Sequence, residues 1–360
     1  MFSARLQRRG GGDTPFVDNK KRAGGARVDR RRVVVTQRFF DDATVAFLEG
    51  AGCTVVQAEL PAGQADGNLS HDELVRLLDG AAGWIVGHAR VTRELQEALP
   101  DLRVISRRGV GYERVDTAAA TALGKVVCIA AGGNDASVAD HTIALMLAAG
   151  HRFRETQERM IDGDWSILMG SDLYQKTVGI VGLGRIGRSL VQRLKGFDVE
   201  ILGLDAGADP EFVRANGINM VALDELLARS DYVTLHAPLT PETRFMIDAP
   251  ALTRMKRTAI LVNAARGGLV DDRALLEALK AGIIAAAGLD VFVSESDPAY
   301  KPITQELIAL PNVIATPHAG ASTREGLDRT NMVAARCVVA VLDGGDPPPA
   351  CVVADGRRGG

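Results

Sequence analysis

The 360-residue chain lacks most marks of a membrane, secreted or nucleic-acid-binding protein. Aromatic residues make up only 4% of it, and no apolar run approaches the roughly 20 residues needed to span a bilayer. No charge sign dominates: 42 Lys and Arg stand against 45 Asp and Glu, and this slight acidity argues against nucleic acid as the main partner. The four cysteines, Cys53, Cys128, Cys337 and Cys351, form no Cys-x-x-Cys pair and no His/Cys cluster of zinc spacing. They read as reduced structural thiols, with no metal, and fit a cytoplasmic compartment. What the chain does have is 46% hydrophobic residues, enough for two cores of ordinary size, so a soluble two-domain enzyme is the default class.

The first 32 residues stand apart. Between Arg5 and Arg32 lie ten Lys or Arg and three Asp, with glycine clusters and hardly any apolar periodicity, the composition of a disordered basic tail. A secretory signal needs an apolar stretch of about 7–15 residues, and a transit peptide is poor in acids, so Asp13, Asp18 and Asp29 count against one. From residue 33 the pattern alternates: short Val/Ile-rich runs ending at 36, 56, 86, 106 and 129, separated by helical stretches. Such alternation predicts a parallel sheet covered by helices on both faces. After a break at 130–135 comes a helix over 137–150, apolar almost all round and therefore expected between layers. The stretch 160–174, with Trp165, has no period and suits an arm on a second subunit. A second α/β unit begins at Val178, a helix over about 321–342 closes the fold, and 346–360, with Pro347-Pro348-Pro349, reads as frayed.

The most specific local signal is Gly182-Leu183-Gly184-Arg185-Ile186-Gly187, lying between an apolar strand and a helix. One glycine makes the turn, the next lets the backbone approach a pyrophosphate, and the third packs the helix on its strand, while the helix-start amides face the anion. The following strand ends in Asp205, at the distance where an acid accepts from ribose hydroxyls. A dinucleotide site is implied. In an open parallel sheet ligands lie beyond the carboxyl ends of the strands, where this sequence supplies Arg266, Glu295 and His318. Each alone reads as a solvated or packing residue. Together they are a cation, an acid and an imidazole, the groups that hydride transfer to or from an oxygen-bearing carbon requires.

With these residues in place, the chain resembles the D-isomer-specific 2-hydroxyacid dehydrogenase family, in the style of its D-3-phosphoglycerate dehydrogenase-like members. The resemblance runs from about 33 to 345 through Ser106-Arg107-Arg108-Gly109-Val110-Gly111-Tyr112, Ser137-Val138-Ala139-Asp140-His141-Thr142, the glycine turn, His236-Ala237-Pro238-Leu239-Thr240, Asn263-Ala264-Ala265-Arg266-Gly267, Gly288-Leu289-Asp290-Val291-Phe292 and Pro317-His318-Ala319-Gly320. It implies an NAD-dependent dehydrogenase acting on a small D-2-hydroxy or 2-keto acid, of the 3-phosphoglycerate or glyoxylate/hydroxypyruvate type, and a homodimer. Arg266 would bind the substrate carboxylate and carbonyl, His318 would be the acid/base, and Glu295 would raise its pKa. Val110 and Gly111 would bind the carboxylate from the other domain, and His88 and Arg90 stand near the phosphate position. Cofactor contacts would come from Gly182, Gly184, Arg185, Ile186, Gly187, Asp205, His236, Pro238, Thr243, Ala264 and Asp290.

The implied fold is α/β: two Rossmann-like doubly wound parallel-sheet domains, with the cofactor domain (133–318) inserted into a discontinuous substrate domain (33–132 and 319–345). Three departures qualify the resemblance. Glu295 is followed by Ser296-Asp297-Pro298 rather than directly by proline, Gly87 stands where phosphoglycerate enzymes tend to place arginine, and no C-terminal regulatory domain is expected, hence no serine feedback. Asp205 would repel a 2′-phosphate and 206–210 hold no arginine to receive one, which favours NAD over NADP. An alternative of another class is an NAD(H)-sensing, corepressor-like interaction protein of the same fold.

Overall fold

The computed structural model describes residues 31–60 and 65–358. Thirteen strands among them form two sheets. The first joins β1 (Arg32–Val35), β2 (Thr54–Gln57), β3 (Gly83–Val86), β4 (Val104–Arg107) and β5 (Val126–Ile129). The second joins β6 (Thr177–Val181), β7 (Glu200–Leu204), β8 (Asn219–Met220), β9 (Tyr232–Leu235), β10 (Ile260–Asn263), β11 (Ala286–Leu289) and β12 (Val313–Ala315). A last strand, β13 (Val352–Asp355), returns to the first sheet, giving the spatial orders β13-β5-β4-β3-β1-β2 and β12-β11-β10-β9-β6-β7-β8. Both are the doubly wound α/β arrangement expected from the alternation.

Strand alternation explains why the sheets are buried on both faces. Val33 and Val35 join one apolar cluster and Val34 another, and in the second sheet Val181 and Leu235 face one layer while Val178, Ile180 and Tyr232 face the other. The helix Arg324–Leu342 follows the second sheet in sequence but packs on the first, with Ala334, Ala335, Cys337, Val338 and Val341 buried there. It begins at a Thr323 cap rather than at 321. The helix Asp135–Gly150 lies between the sheets' segments of chain, buried along Val138, Ala139, Thr142, Leu145, Met146 and Ala149.

Two expectations about the termini need correction. The segment read as frayed, 346–360, forms a strand within its described part, 346–358: β13 pairs antiparallel with β5, matching Val352 to Cys128, Ala354 to Val127 and Asp355 to Val126. The prolines end before the strand, and pairing covers the β5 edge, which would otherwise present open backbone groups. The basic tail also ends earlier than 32. Arg31 bonds Asp343 at 2.8 Å and the Ala51 carbonyl at 2.7 Å, and Arg32 opens β1; residues 1–30 lie outside the described residues. The cysteines, far apart in sequence, converge here. Cys128, Cys337 and Cys351 share one core, all free and buried, and the Cys128 contact with burial pushes the Cys337 thiol well up. No helix is long and apolar enough to cross a membrane among the described residues.

Truncation after residue 345 removes β13 and the buried Cys351, so it should lower the thermal midpoint by about 5 °C or more and promote association through the bared β5 edge. An unchanged midpoint measured by calorimetry would deny the last strand a structural role.

Candidate active site

The glycine turn divides its tasks as the sequence suggests. Gly182 has φ +98°, and a Cβ there would lie 2.6 Å from the backbone of His236, across the switch point between β6 and β9. A Cβ at Gly187 would lie 2.1 Å from the Gly182 carbonyl, so only glycine lets the helix Arg185–Leu194 approach its strand. Gly184, by contrast, faces open space and gives the helix no side-chain cap, leaving the helix start, including Arg185 and Ile186, without a side-chain acceptor from its N-cap.

Asp205, just past β7, accepts from the Leu183 amide at 2.6 Å and the Gly207 amide at 2.7 Å. Each oxygen keeps capacity for a second donor. His236 follows β9; its Nε2 meets Thr234 Oγ1 at 3.0 Å, while Nδ1 is buried without a partner, and burial pushes the ring down to about 4, so it is neutral. Thr243 donates to the Pro238 carbonyl at 2.7 Å and closes the loop after β9. Ala264 is buried just past β10. An open glycine, an uncapped helix start and an orphaned ring nitrogen along one edge fit a dinucleotide.

Because β6 to β12 are all parallel, their carboxyl ends share that edge. In spatial order it carries His318, Asp290, Arg266, His236, Gly182 and Asp205, over about five strand spacings, roughly 24 Å. Asp290 organises one end. It is buried, and against the upward push of burial its carboxyl is held below the usual range by hydrogen bonds from His141, Thr316, Ala319 and Gly320. Thr316 Oγ1 and the Ala319 amide reach one oxygen at 2.5 and 2.7 Å, and the Gly320 amide reaches the other at 2.9 Å. The His318 amide donates to the Asp290 carbonyl at 2.7 Å, and His318 itself takes φ +55°, a left-handed conformation unusual for a residue with a side chain.

So held, His318 Nδ1 meets Glu295 Oε2 at 2.7 Å. The other Glu295 oxygen accepts from the Phe292 amide at 2.9 Å. The Glu295 hydrogen bond keeps the His318 imidazole above its ordinary value, although burial opposes it. The extra residues Ser296 and Asp297 end the short turn Val293–Glu295 and cap the next, Pro298–Tyr300, and leave Glu295 in reach.

His318, Glu295 and Arg266 line one cavity of about 400 Å³ with Val110, Gly111, His88 and Arg90. The first sheet therefore supplies one wall and the second sheet the other. Five arginines, Arg90, Arg107, Arg108, Arg114 and Arg266, line it against two carboxylates, Glu113 and Glu295. Arg107 is only 8% exposed, burial above all pushes it down to about 10, and its Nη1 is buried without a partner. A larger cavity of about 710 Å³ lies at the opposite, amino-terminal end of the second sheet and holds none of these residues.

Two carboxylates escaped the sequence reading. Glu113 bonds Arg266 Nε at 2.9 Å across the cavity, and that cation overcomes burial to hold the carboxyl below its usual range. Asp272, at the start of the helix Asp272–Lys280, is 2% exposed and accepts from the Val293 amide at 3.0 Å, beside Glu295. Burial first, then Asp271 and Glu295, push it up to about 7. Neither carries a local sequence signal, since both depend on contacts distant in the chain. Among the described residues no group of His, Cys, Asp and Glu is placed to hold a metal ion.

An acid whose folded value stands above its unfolded value of roughly 3.9 binds protons more tightly when folded, so it costs stability as pH rises from there towards 7. Asp272→Asn should therefore gain stability over the parent progressively between about pH 4 and pH 7, and level off above. Denaturant midpoints that differ equally at pH 4 and pH 8 would contradict this.

Residues 143–320 match the family model for the NAD binding domain of D-isomer specific 2-hydroxyacid dehydrogenase. A D-3-phosphoglycerate dehydrogenase of Methanocaldococcus jannaschii is 39% identical over 317 residues, covering 87% of this chain and 58% of the relative. A glyoxylate reductase of Korarchaeum cryptofilum is 41% identical over 264 residues, covering 72% and 78%. The chain spans little more than half the length of the phosphoglycerate dehydrogenases it matches, 58% and 54% in two cases. Among solved structures, a D-lactate dehydrogenase of Aquifex aeolicus in complex with NAD and lactic acid superposes with a TM-score of 0.75 at 27% identity, covering 89% of this chain and 98% of that one.

Proposed function

The chain belongs to the D-isomer-specific 2-hydroxyacid dehydrogenase family, and from that premise we propose that it interconverts a 2-keto acid and a D-2-hydroxy acid with NAD(H). The observation that carries the reading is the 2.7 Å His318–Glu295 pair lining one cavity with Arg266. NADH, when bound along the strand ends, supplies the hydride for C2 of the keto acid. His318 holds a proton on Nε2 because Glu295 occupies Nδ1, and it gives that proton to the carbonyl oxygen as the oxygen gains charge. The raised imidazole value suits this direction; in the reverse direction the same nitrogen takes the hydroxyl proton.

Arg266 stabilises the oxygen and the substrate carboxylate, for which it exchanges Glu113, while the Val110 and Gly111 amides approach from the first sheet. Two domains, divided as the sequence suggests at 132/133 and 318/319, would close on this cleft and exclude water. Asp205 favours NAD over NADP, because a 2′-phosphate would meet its carboxylate.

The arginine excess supports a substrate with a second anionic group, 3-phosphohydroxypyruvate rather than glyoxylate. Gly87 supplies no side chain to that loop, but the buried Asp66 carboxylate holds the Gly87 and His88 amides at 2.8 and 2.6 Å, presenting His88 and Arg90 beside Arg107 and Arg108. A homodimer is supported by the apolar residues of the 153–174 segment, where Trp165, Ile167 and Met169 are 75%, 96% and 88% exposed. The free buried cysteines support a reducing, cytoplasmic compartment.

A panel of 2-keto acids followed by NADH absorbance tests the proposal. Turnover of 3-phosphohydroxypyruvate should exceed that of glyoxylate in kcat/KM by about 10-fold or more, and His318→Ala should lower kcat by about 100-fold or more. No oxidation with any keto acid, together with NADH-dependent assembly, would favour the corepressor-like alternative.

A further inference from the structure

Asp272 is a buried acid that the reaction as described leaves without a role. The charges acting on it come from Asp271 and Glu295, both acids. It accepts a hydrogen bond from the Val293 amide, which fixes the short turn Val293–Glu295 from beneath. Glu295 holds the amide just before it, that of Phe292, so two successive amides are taken by two carboxylates. The turn's other side is closed by Gly267, where a Cβ would lie 2.3 Å from the Phe292 carbonyl carbon and oxygen. With Oε1 held on the Phe292 amide, Glu295 turns Oε2 to His318 at 2.7 Å. An acid in this position costs folding stability, which a neutral residue of the same shape would not.

We propose that Asp272 is a positioning residue for the reaction: through the Val293 amide it aims Glu295 at His318, and its carboxylate adds to the negative field at the imidazole. This rests on the dehydrogenase reading for its consequence but not for its readout. The charged groups acting on His318 are Glu295, Arg266 and Asp290, so Asp272 reaches the imidazole through Glu295.

The test is the pH titration of the His318 ring protons by NMR in the full chain, assigned with His318→Gln. Asparagine can still accept from Val293 but carries no charge, so Asp272→Asn should lower the His318 midpoint by roughly 0.3 to 1 pH unit. Asp272→Ala should lower it further, as Glu295 loses its aim. In turnover, Asp272→Ala should reduce kcat by about 10-fold or more with KM changed by less than about 3-fold, and asparagine should restore most of kcat. His318 midpoints equal to the parent's in both variants would overturn the proposal, as would an alanine variant that keeps kcat within about twofold. If alanine fails to fold, the asparagine midpoint decides alone. If the parent turns over no keto acid, the dehydrogenase reading fails while the titration still judges Asp272.

Discussion

Buried at the end of β11, Asp290 takes Thr316 Oγ1 and the Ala319 and Gly320 amides on its carboxylate and the His318 amide on its carbonyl, so the turn after β12 has no freedom to relax. His318 is held in a left-handed conformation that it would not choose alone, at a local cost of about 1–3 kcal/mol on the usual scale for such backbone. The cost is met by four hydrogen bonds to one buried residue, three of them to its ionised carboxylate. Without that clamp the imidazole would not face Glu295.

The rest of the site is a problem of charge in a confined space. Five arginines around one cavity repel one another, and the structure offsets this with acids placed by distant parts of the chain: Glu113 on Arg266 and Asp66 beneath the His88 loop. The Arg266–Glu113 contact joins the two walls of the cleft directly. Under the proposed function, an incoming carboxylate would replace a like-charged group and inherit an existing ion pair instead of creating one. Asp272, on the other side of Glu295, departs from this scheme, since the charges acting on it are those of Asp271 and Glu295, both acids.

What was legible in the sequence was whatever depends on neighbours in the chain. The glycine turn, Asp205 and the strand ends carrying Arg266, Asp290 and His318 follow from spacing, because a parallel strand delivers its last residue to the same edge as its neighbours do. Glu295 stayed in reach of His318 despite the longer loop, because the added Ser296 and Asp297 follow it and only link its turn to the next. The last strand was not legible: a proline run and a glycine-rich end look unstructured until the open edge of β5, more than 200 residues earlier, is there to pair with them. For the same reason Glu113, Asp272 and the convergence of three cysteines could not be read, since each is a contact between segments that share no local pattern. His236 stands between these cases, placed by its strand but made neutral by burial that spacing does not reveal.

The central claim is that this edge of the second sheet moves a hydride between the nicotinamide and C2 of a keto acid while His318 moves the proton. The most direct measurement is to supply 3-phosphohydroxypyruvate with NADH deuterated at C4 of the nicotinamide and to follow the label by mass spectrometry and chiral analysis. The account predicts D-3-phosphoglycerate bearing one deuterium at C2. A folded protein that binds NADH yet leaves C2 of every 2-keto acid unlabelled would contradict it.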